Sequence, residues 1–277
     1  MNCWKGKWGI DLMKLQSIGA VIGINCILLA LILWVAHLIR KRQPLTASRL
    51  RREARKHMQV IAQPPFHGDF CRMYAILSAL EGNIPNERLI AGLLAGWAAE
   101  EQIQLCEMEK KRLKSFGDEQ QATICFPGDE DHPFQPNASG AEGLLLGLFY
   151  GWADETATLQ QSELYNFARE YHHAVTGRLE QFGTQGRHGL RAGGAIQPES
   201  KKKPIYTMRG VREAGQVLGY QQWLCTQKEL PPEKWRDGIL FGCQPAGEIP
   251  RLAMALAKSM VSGMNAGKHA NEKASGR

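Results

Sequence analysis

From Ser17 to Ile39 the chain carries no Asp, Glu, Lys or Arg, and Arg40, Lys41 and Arg42 follow directly. A hydrocarbon core about 30 Å thick is crossed by about 20 apolar residues rising about 1.5 Å each, and this run has that length. Its apolar side chains, among them Ile18, Val21, Ile24, Leu28, Leu31 and Val35, cover every azimuth of a helix. A helix that packs on a water-soluble core keeps a polar face, whereas lipid demands apolar contact all round. Trp34 and the pair Trp4 and Trp8 lie near the two ends, where indole favours the headgroup level. The pattern predicts a transmembrane helix over residues 17–39, preceded by a short extracytoplasmic tail, residues 1–16. A cleaved signal peptide has a shorter apolar region of about 7–15 residues and a small-residue cleavage site, so an uncleaved anchor fits better.

Flanking charge predicts the direction of insertion. Lys5, Lys7 and Lys14 precede the span, while Arg40, Lys41, Arg42, Arg49, Arg51, Arg52, Arg55 and Lys56 follow it. The more basic flank stays inside, which places the large C-terminal part on the cytoplasmic side of the membrane. Those eight cations less Glu53 equal the whole net charge of +7 on the 277 residues, so the remainder is balanced. The excess is therefore read as topogenic and as a contact for anionic headgroups near Arg40–Lys56, rather than as a nucleic-acid footprint.

Seven cysteines, Cys3, Cys26, Cys71, Cys106, Cys125, Cys225 and Cys243, are scattered without a CxxC pair. An odd, unpatterned set predicts free thiols in a reducing compartment rather than a disulfide framework or a structural zinc site. The sequon Asn137-Ala138-Ser139 carries no weight on the cytoplasmic side.

Residues 40–62 form a basic juxtamembrane segment, helix-compatible from Leu45 to Ile61; a stalk against headgroups and a solvated linker both suit it. Residues 63–127 then read as helix, helix and β-ribbon, a winged-helix-like unit. Its helices are Cys71–Leu80 and a segment opened by Pro85, and its strands are Ile103–Glu107 and Ala122–Phe126. A second helical, winged-helix-like unit spans residues 138–183. Ser139 is placed to cap a helix from Gly140 to Trp152, and a longer helix runs from Gln160 to about Phe182 with Leu164, Phe167, Ala168, Tyr171, Val175 and Leu179 inward. The glycines of Gly183–Gly194 and Lys201–Lys203 predict a mobile linker over residues 184–203. A C-terminal helical segment occupies residues 204–264, with helices Arg209–Lys228 and Ile249–Met264, and residues 265–277 read as a disordered polar tail. The fold class expected is thus α+β, mainly helical: one N-terminal transmembrane helix, two winged-helix-like units and a helical C-terminal segment.

Few side chains suggest chemistry. His67-Gly68-Asp69-Phe70-Cys71 offers three metal-ligand types and His172-His173 two imidazoles, but a metal site needs three or four converging ligands. The plainer reading of Asp69 is a cap for the next helix. Cys71 lies in no catalytic cysteine signature. Gly183, Gly186, Gly189, Gly193 and Gly194 match neither a GxxxxGK[ST] nor a GxGxxG phosphate loop. A DNA-reading helix would present Arg, Lys, Asn or Gln, yet Asn86–Glu101 has Arg88 as its sole cation and ends in Glu100-Glu101. No catalytic, cofactor-binding or metal residue is assigned, and nucleic acid is not expected. The Gly, Ala and Leu surface of Leu89–Ala99 reads as core first and as a protein-binding face second. Asn25, inside the span, could bond a neighbouring helix.

Four stretches carry a family resemblance. They are Asn86-Glu87-Arg88-Leu89-Ile90-Ala91-Gly92-Leu93-Leu94 running into Ile103-Gln104-Leu105; Ser139 to Phe149; Arg209-Gly210 through Tyr220-Gln221-Gln222-Trp223-Leu224; and Trp235 to Leu256. Together they resemble the cytoplasmic region of the YciQ-like family of bacterial membrane proteins. Members typically have an extracytoplasmic β-rich domain, further membrane segments and a low-complexity tail, none of which is evident, so the chain resembles a shortened relative. The family has no assigned reaction; the resemblance implies architecture, with no catalytic residues. The expectation is a single-pass, non-enzymatic module that binds a protein partner, with a membrane-tethered DNA-binding regulator and an enzyme with an unrecognised site as the rival classes.

Overall fold

The computed structural model describes residues 29, 31–34, 45–109, 120–128, 134–198 and 204–275. The chain divides into two compact units, Met1–Pro44 and Leu45–Arg277. In the first, Leu29 and residues 31–34 are helical with more than half of each side chain exposed. The rest of the predicted span 17–39, Asn25 included, lies outside the described residues. Among the described residues no helix is long and apolar enough to cross a membrane.

The second unit is mainly helical with one small sheet. Helix α1 (Ala47–Arg55) turns Leu50 and Ala54, four apart and fully buried, inward, and leaves Arg51, Arg52 and Arg55 exposed. This corrects the expectation of a stalk or linker: α1 is docked on α7 (Met208–Thr226). The docking depends on Gly215 and Gly219. A Cβ on Gly215 would lie 2.7 Å from the His57 carbonyl oxygen, and one on Gly219 would collide with that of Gln59.

A left-handed turn follows, with Phe66, His67 and Gly68 at φ 57°, 56° and 83°. It delivers Asp69, whose side chain accepts from the Arg72 amide at 3.0 Å and so caps α2 (Phe70–Glu81), the role expected of it. Gly82, at φ 93°, ends that helix, and Pro85 precedes α3 (Asn86–Ala99). Strands β1 (Gln104–Glu109) and β2 (Gln120–Cys125) pair antiparallel, with Leu105 opposite Ile124 on the core side. β3 (Thr158–Gln160), three residues too short to show a periodicity, adds to the other edge of β2.

Ser139 precedes α4 (Gly140–Tyr150) as expected but makes no side-chain cap; the Gln185 amide oxygen takes the Ala141 N–H at 3.1 Å instead. The single helix expected over Gln160–Phe182 is two. Tyr171, at φ −108° and ψ 28°, separates α5 (Gln161–Glu170) from α6 (His172–Ala192). α5 opens with a capping box in which Gln160 and Glu163 exchange bonds. The glycine-rich stretch expected to be a linker is the last half of α6, up to Ala192. Gly186 is buried there, and a Cβ on it would strike the Cys71 carbonyl, so α2 and α6 meet backbone to backbone. Lys201–Lys203 lie outside the described residues.

α8 (Trp235–Leu240) is short, and α9 (Glu248–Ser275) is the longest helix described, at 28 residues. α9 absorbs most of the tail expected to be disordered. Met264 and Gly267 are buried, and Cβ atoms on Gly263 and Gly267 would run into the carbonyls of Tyr165 and Arg169 on α5. α9 packs on both α5 and α3, α3 packs on α8, and α2 and α4 both pack on α6. The segments expected to be successive units, residues 63–127, 138–183 and 204–264, therefore share one core, filled by Trp97, Tyr220, Phe149, Phe167 and Phe182. Cys225 and Cys243 are joined in a disulfide, which corrects the expectation that every cysteine is a free thiol. Cys71, Cys106 and Cys125 are free, and Cys3 and Cys26 lie outside the described residues.

Candidate functional site

Most of the strongly placed polar groups hold helices together. Glu142, on α4, accepts from the Trp97 indole N–H at 2.9 Å and lies 3.3 Å from Arg236 Nη1. The Arg236 guanidinium sits 5.1 Å from the Phe70 ring centroid, a cation–π contact that ties α8 to α2. Gly92 makes room for this strand of contacts, since a Cβ there would lie 2.9 Å from the Arg236 carbonyl oxygen. The buried Tyr220 hydroxyl donates to Asp237 at 2.7 Å, and burial lifts both the Asp237 carboxyl and the Tyr220 phenol above their ordinary values.

Arg88, the one cation of the helix weighed for DNA reading, is engaged inside the fold. Its Nε donates to the Leu240 carbonyl at 3.0 Å, capping the C-terminus of α8, and its Nη1 pairs with Glu81 at 3.0 Å. The surface of Leu89–Ala99 is core in most of its length: Leu89 to Trp97 are buried.

The metal and thiol candidates separate. His67 is exposed, Asp69 caps α2, and Cys71 is buried. Burial pushes the Cys71 thiol up to about 12, so it is protonated at neutral pH, whereas the nucleophile in cysteine chemistry is the thiolate. His172 and His173 do converge: their ring centroids are 3.9 Å apart, and both Nε2 atoms approach the Asn271 side-chain nitrogen, at 3.3 and 3.4 Å. Asn271 belongs to the segment expected to be disordered, so the sequence offered no sign of this meeting. Among the described residues no three His, Cys, Asp or Glu side chains gather as a metal cluster.

Two surface features bear on function. One is a cleft of about 400 Å³ between α2 and α6, lined by Tyr74, Ser78, Asn83, Glu180, Thr184 and Arg187. Arg187 donates to the Thr184 hydroxyl at 3.2 Å, and burial raises the Tyr74 phenol. The other is an aromatic step at the start of α6. Trp152, in the turn after α4, lies 5.0 Å from both Phe167 and Tyr171, and Phe167 stacks 5.8 Å from Tyr171. Phe167 is buried, while Trp152 and Tyr171 are 40% and 41% exposed. Tyr171 was expected on the inward face of a continuous helix; the break there turns it outward. Trp152 carried no signal beyond its own size.

No family model matches the chain, and no match is found among curated proteins or solved structures.

Proposed function

We propose that the chain is a membrane-anchored, non-enzymatic binding module. In this reading the span at 17–39 tethers unit Leu45–Arg277 to the cytoplasmic face of a bacterial inner membrane, where it engages a protein partner through Trp152 and Tyr171. The observation that carries the docking site is the half-exposed aromatic pair on a buried phenylalanine floor. Large, rigid aromatic side chains of this kind supply most of the energy in protein interfaces, with truncation of a central one costing about 2 kcal/mol or more. The exposed basic face of α1, Arg51, Arg52 and Arg55, suits contact with anionic headgroups. Arg88 supports leaving nucleic acid aside, since its guanidinium is committed to Leu240 and Glu81. The helix, helix, ribbon order of α2, α3, β1 and β2 supports a winged-helix-like description of that segment, and the four stretches quoted above support a kinship with the YciQ-like proteins.

The test is photo-cross-linking in native membranes from a probe at the exposed position 155, three residues after Trp152. A discrete protein adduct that falls at least tenfold in Trp152→Ala is expected. An adduct pattern unchanged by Trp152→Ala together with Tyr171→Ala would reject the docking site.

A further inference from the structure

In the antiparallel ribbon, Cys106 on β1 lies opposite Thr123, and Cys125 on β2 lies opposite Gln104. Residues 104 and 106 share a face, so the two cysteines are diagonal neighbours on the same side of the sheet, the side away from Leu105 and Ile124. Their sulfurs are 3.3 Å apart, both are free thiols, and both are half-buried rather than sealed in the core. A disulfide needs about 2.05 Å, so closure asks for an approach of only about 1.3 Å, within the reach of a small χ1 adjustment at each residue.

We propose that Cys106 and Cys125 are a second disulfide site of this protein, closed by exchange with a low-molecular-weight disulfide. The Cys106 thiolate attacks one sulfur of the small disulfide RS–SR; that S–S bond breaks, one RS⁻ leaves and takes a proton from solvent, and Cys106 carries the other half as a mixed disulfide. Cys125 then gives its proton to solvent base and attacks the Cys106 sulfur, expelling the second RS⁻. The protein loses two electrons and two protons, and RS–SR gains both as two RSH. Burial and the neighbouring Cys106 thiol push Cys125 up to about 12 in the reduced pair; turning Cys106 into the mixed disulfide removes the second of these causes, so the attack by Cys125 follows the one by Cys106.

Closure has a structural consequence. Cys125 is on the central strand, flanked by β1 and β3, and Glu107, next to Cys106, pairs with Arg251 of α9 at 2.8 Å. The bond would fix β1 against β2 in one register at the point where the ribbon meets α9.

The full chain, in detergent, is exposed to oxidised glutathione, quenched in acid, alkylated, and mapped as unreduced peptides. The expected result is a linked Cys106–Cys125 peptide that replaces both alkylated ones, while buried Cys71 stays unmodified by glutathione. In Cys125→Ser the linked peptide is expected to vanish and glutathione to remain on Cys106. Two alkylated thiols in the wild type, or glutathione stalled on Cys106 with no linked peptide, would overturn the proposal.

Discussion

At the scale of single residues, Phe66 and His67 share one unusual backbone state and should respond to the same substitution in opposite ways. Each sits near φ 57°, where a side chain costs roughly 1 kcal/mol relative to glycine. His67 is exposed and gives its side chain little to do, so His67→Gly exchanges that strain against a smaller loss of chain entropy. It is expected to raise stability by about 0.5 kcal/mol in urea denaturation. Phe66 packs against the core, and Phe66→Gly should lower stability by roughly 1 kcal/mol because lost burial outweighs relieved strain. Asp237 makes a pH-dependent prediction. Its carboxyl titrates above the ordinary value near 3.8 because it is buried, with Tyr220 as its hydrogen-bond donor. A raised folded pKa means the folded state holds its proton longer than the unfolded state does. Stability from this group is therefore fully present below the ordinary value and is lost as pH rises through the folded one. Asp237→Asn keeps an acceptor for Tyr220 without the charge. Its melting temperature should gain on the wild type as pH climbs past about 4 and then hold a constant lead, whereas a flat difference across that range would contradict the burial argument. Residue-level meaning was partly legible: Asp69 read as a helix cap because an acidic residue before an apolar run has few better uses. Glu142, Arg236 and Asp237 did not, because their partners lie far away in the chain.

At the scale of elements, glycine divides what the sequence showed from what it hid. Glycine breaks helices in isolation, so the cluster from Gly183 to Gly194 reads as a loop. In this fold glycines on helices are where backbones touch: Gly215 on α7 receives the end of α1 and Gly219 the segment that follows it, Gly186 on α6 receives α2, and Gly263 and Gly267 on α9 receive α5. The helical cost of about 1 kcal/mol per glycine is offset by backbone approach that no side chain permits. Spacing alone cannot separate the two uses, since the partner carbonyl belongs to another segment. The apolar stripes of α2, α3 and α5 were legible for the opposite reason, because their periodicity is local. A matched pair of variants tests the account. Gly267→Val would drive a side chain into the Arg169 carbonyl and within 2.9 Å of His172 Nδ1, and should cost roughly 2–3 kcal/mol. Gly177→Ala, on the exposed side of α6 with no atom within 4 Å of the new methyl, should instead gain about 0.5–1 kcal/mol. Equal effects from the two would mean that these glycines are not packing devices.

At the scale of the whole molecule, two features bear on the side of the membrane proposed for Leu45–Arg277 and pull in different directions. The eight cations from Arg40 to Lys56 favour a cytoplasmic domain. The Cys225–Cys243 disulfide is a bond that reducing compartments keep open. With the domain placed in the cytoplasm, as proposed, Cys225 and Cys243 must be two thiols in growing cells and close only after lysis in air. Their separation of 18 residues sets the reward for closure at roughly 3 kcal/mol by loop entropy. Reductant should accordingly lower the melting temperature of the purified chain by about 5–10 °C. Acid quenching of intact cells before alkylation reads the native state directly, and a membrane-impermeant maleimide applied to whole spheroplasts reads the side. Cytoplasmic placement requires both cysteines to be alkylated after the quench and unreached by the impermeant reagent. A disulfide already closed in the quenched cells, together with digestion of residues 45–277 by protease added outside, would put the domain on the opposite face, and charge would then have been the weaker of the two guides.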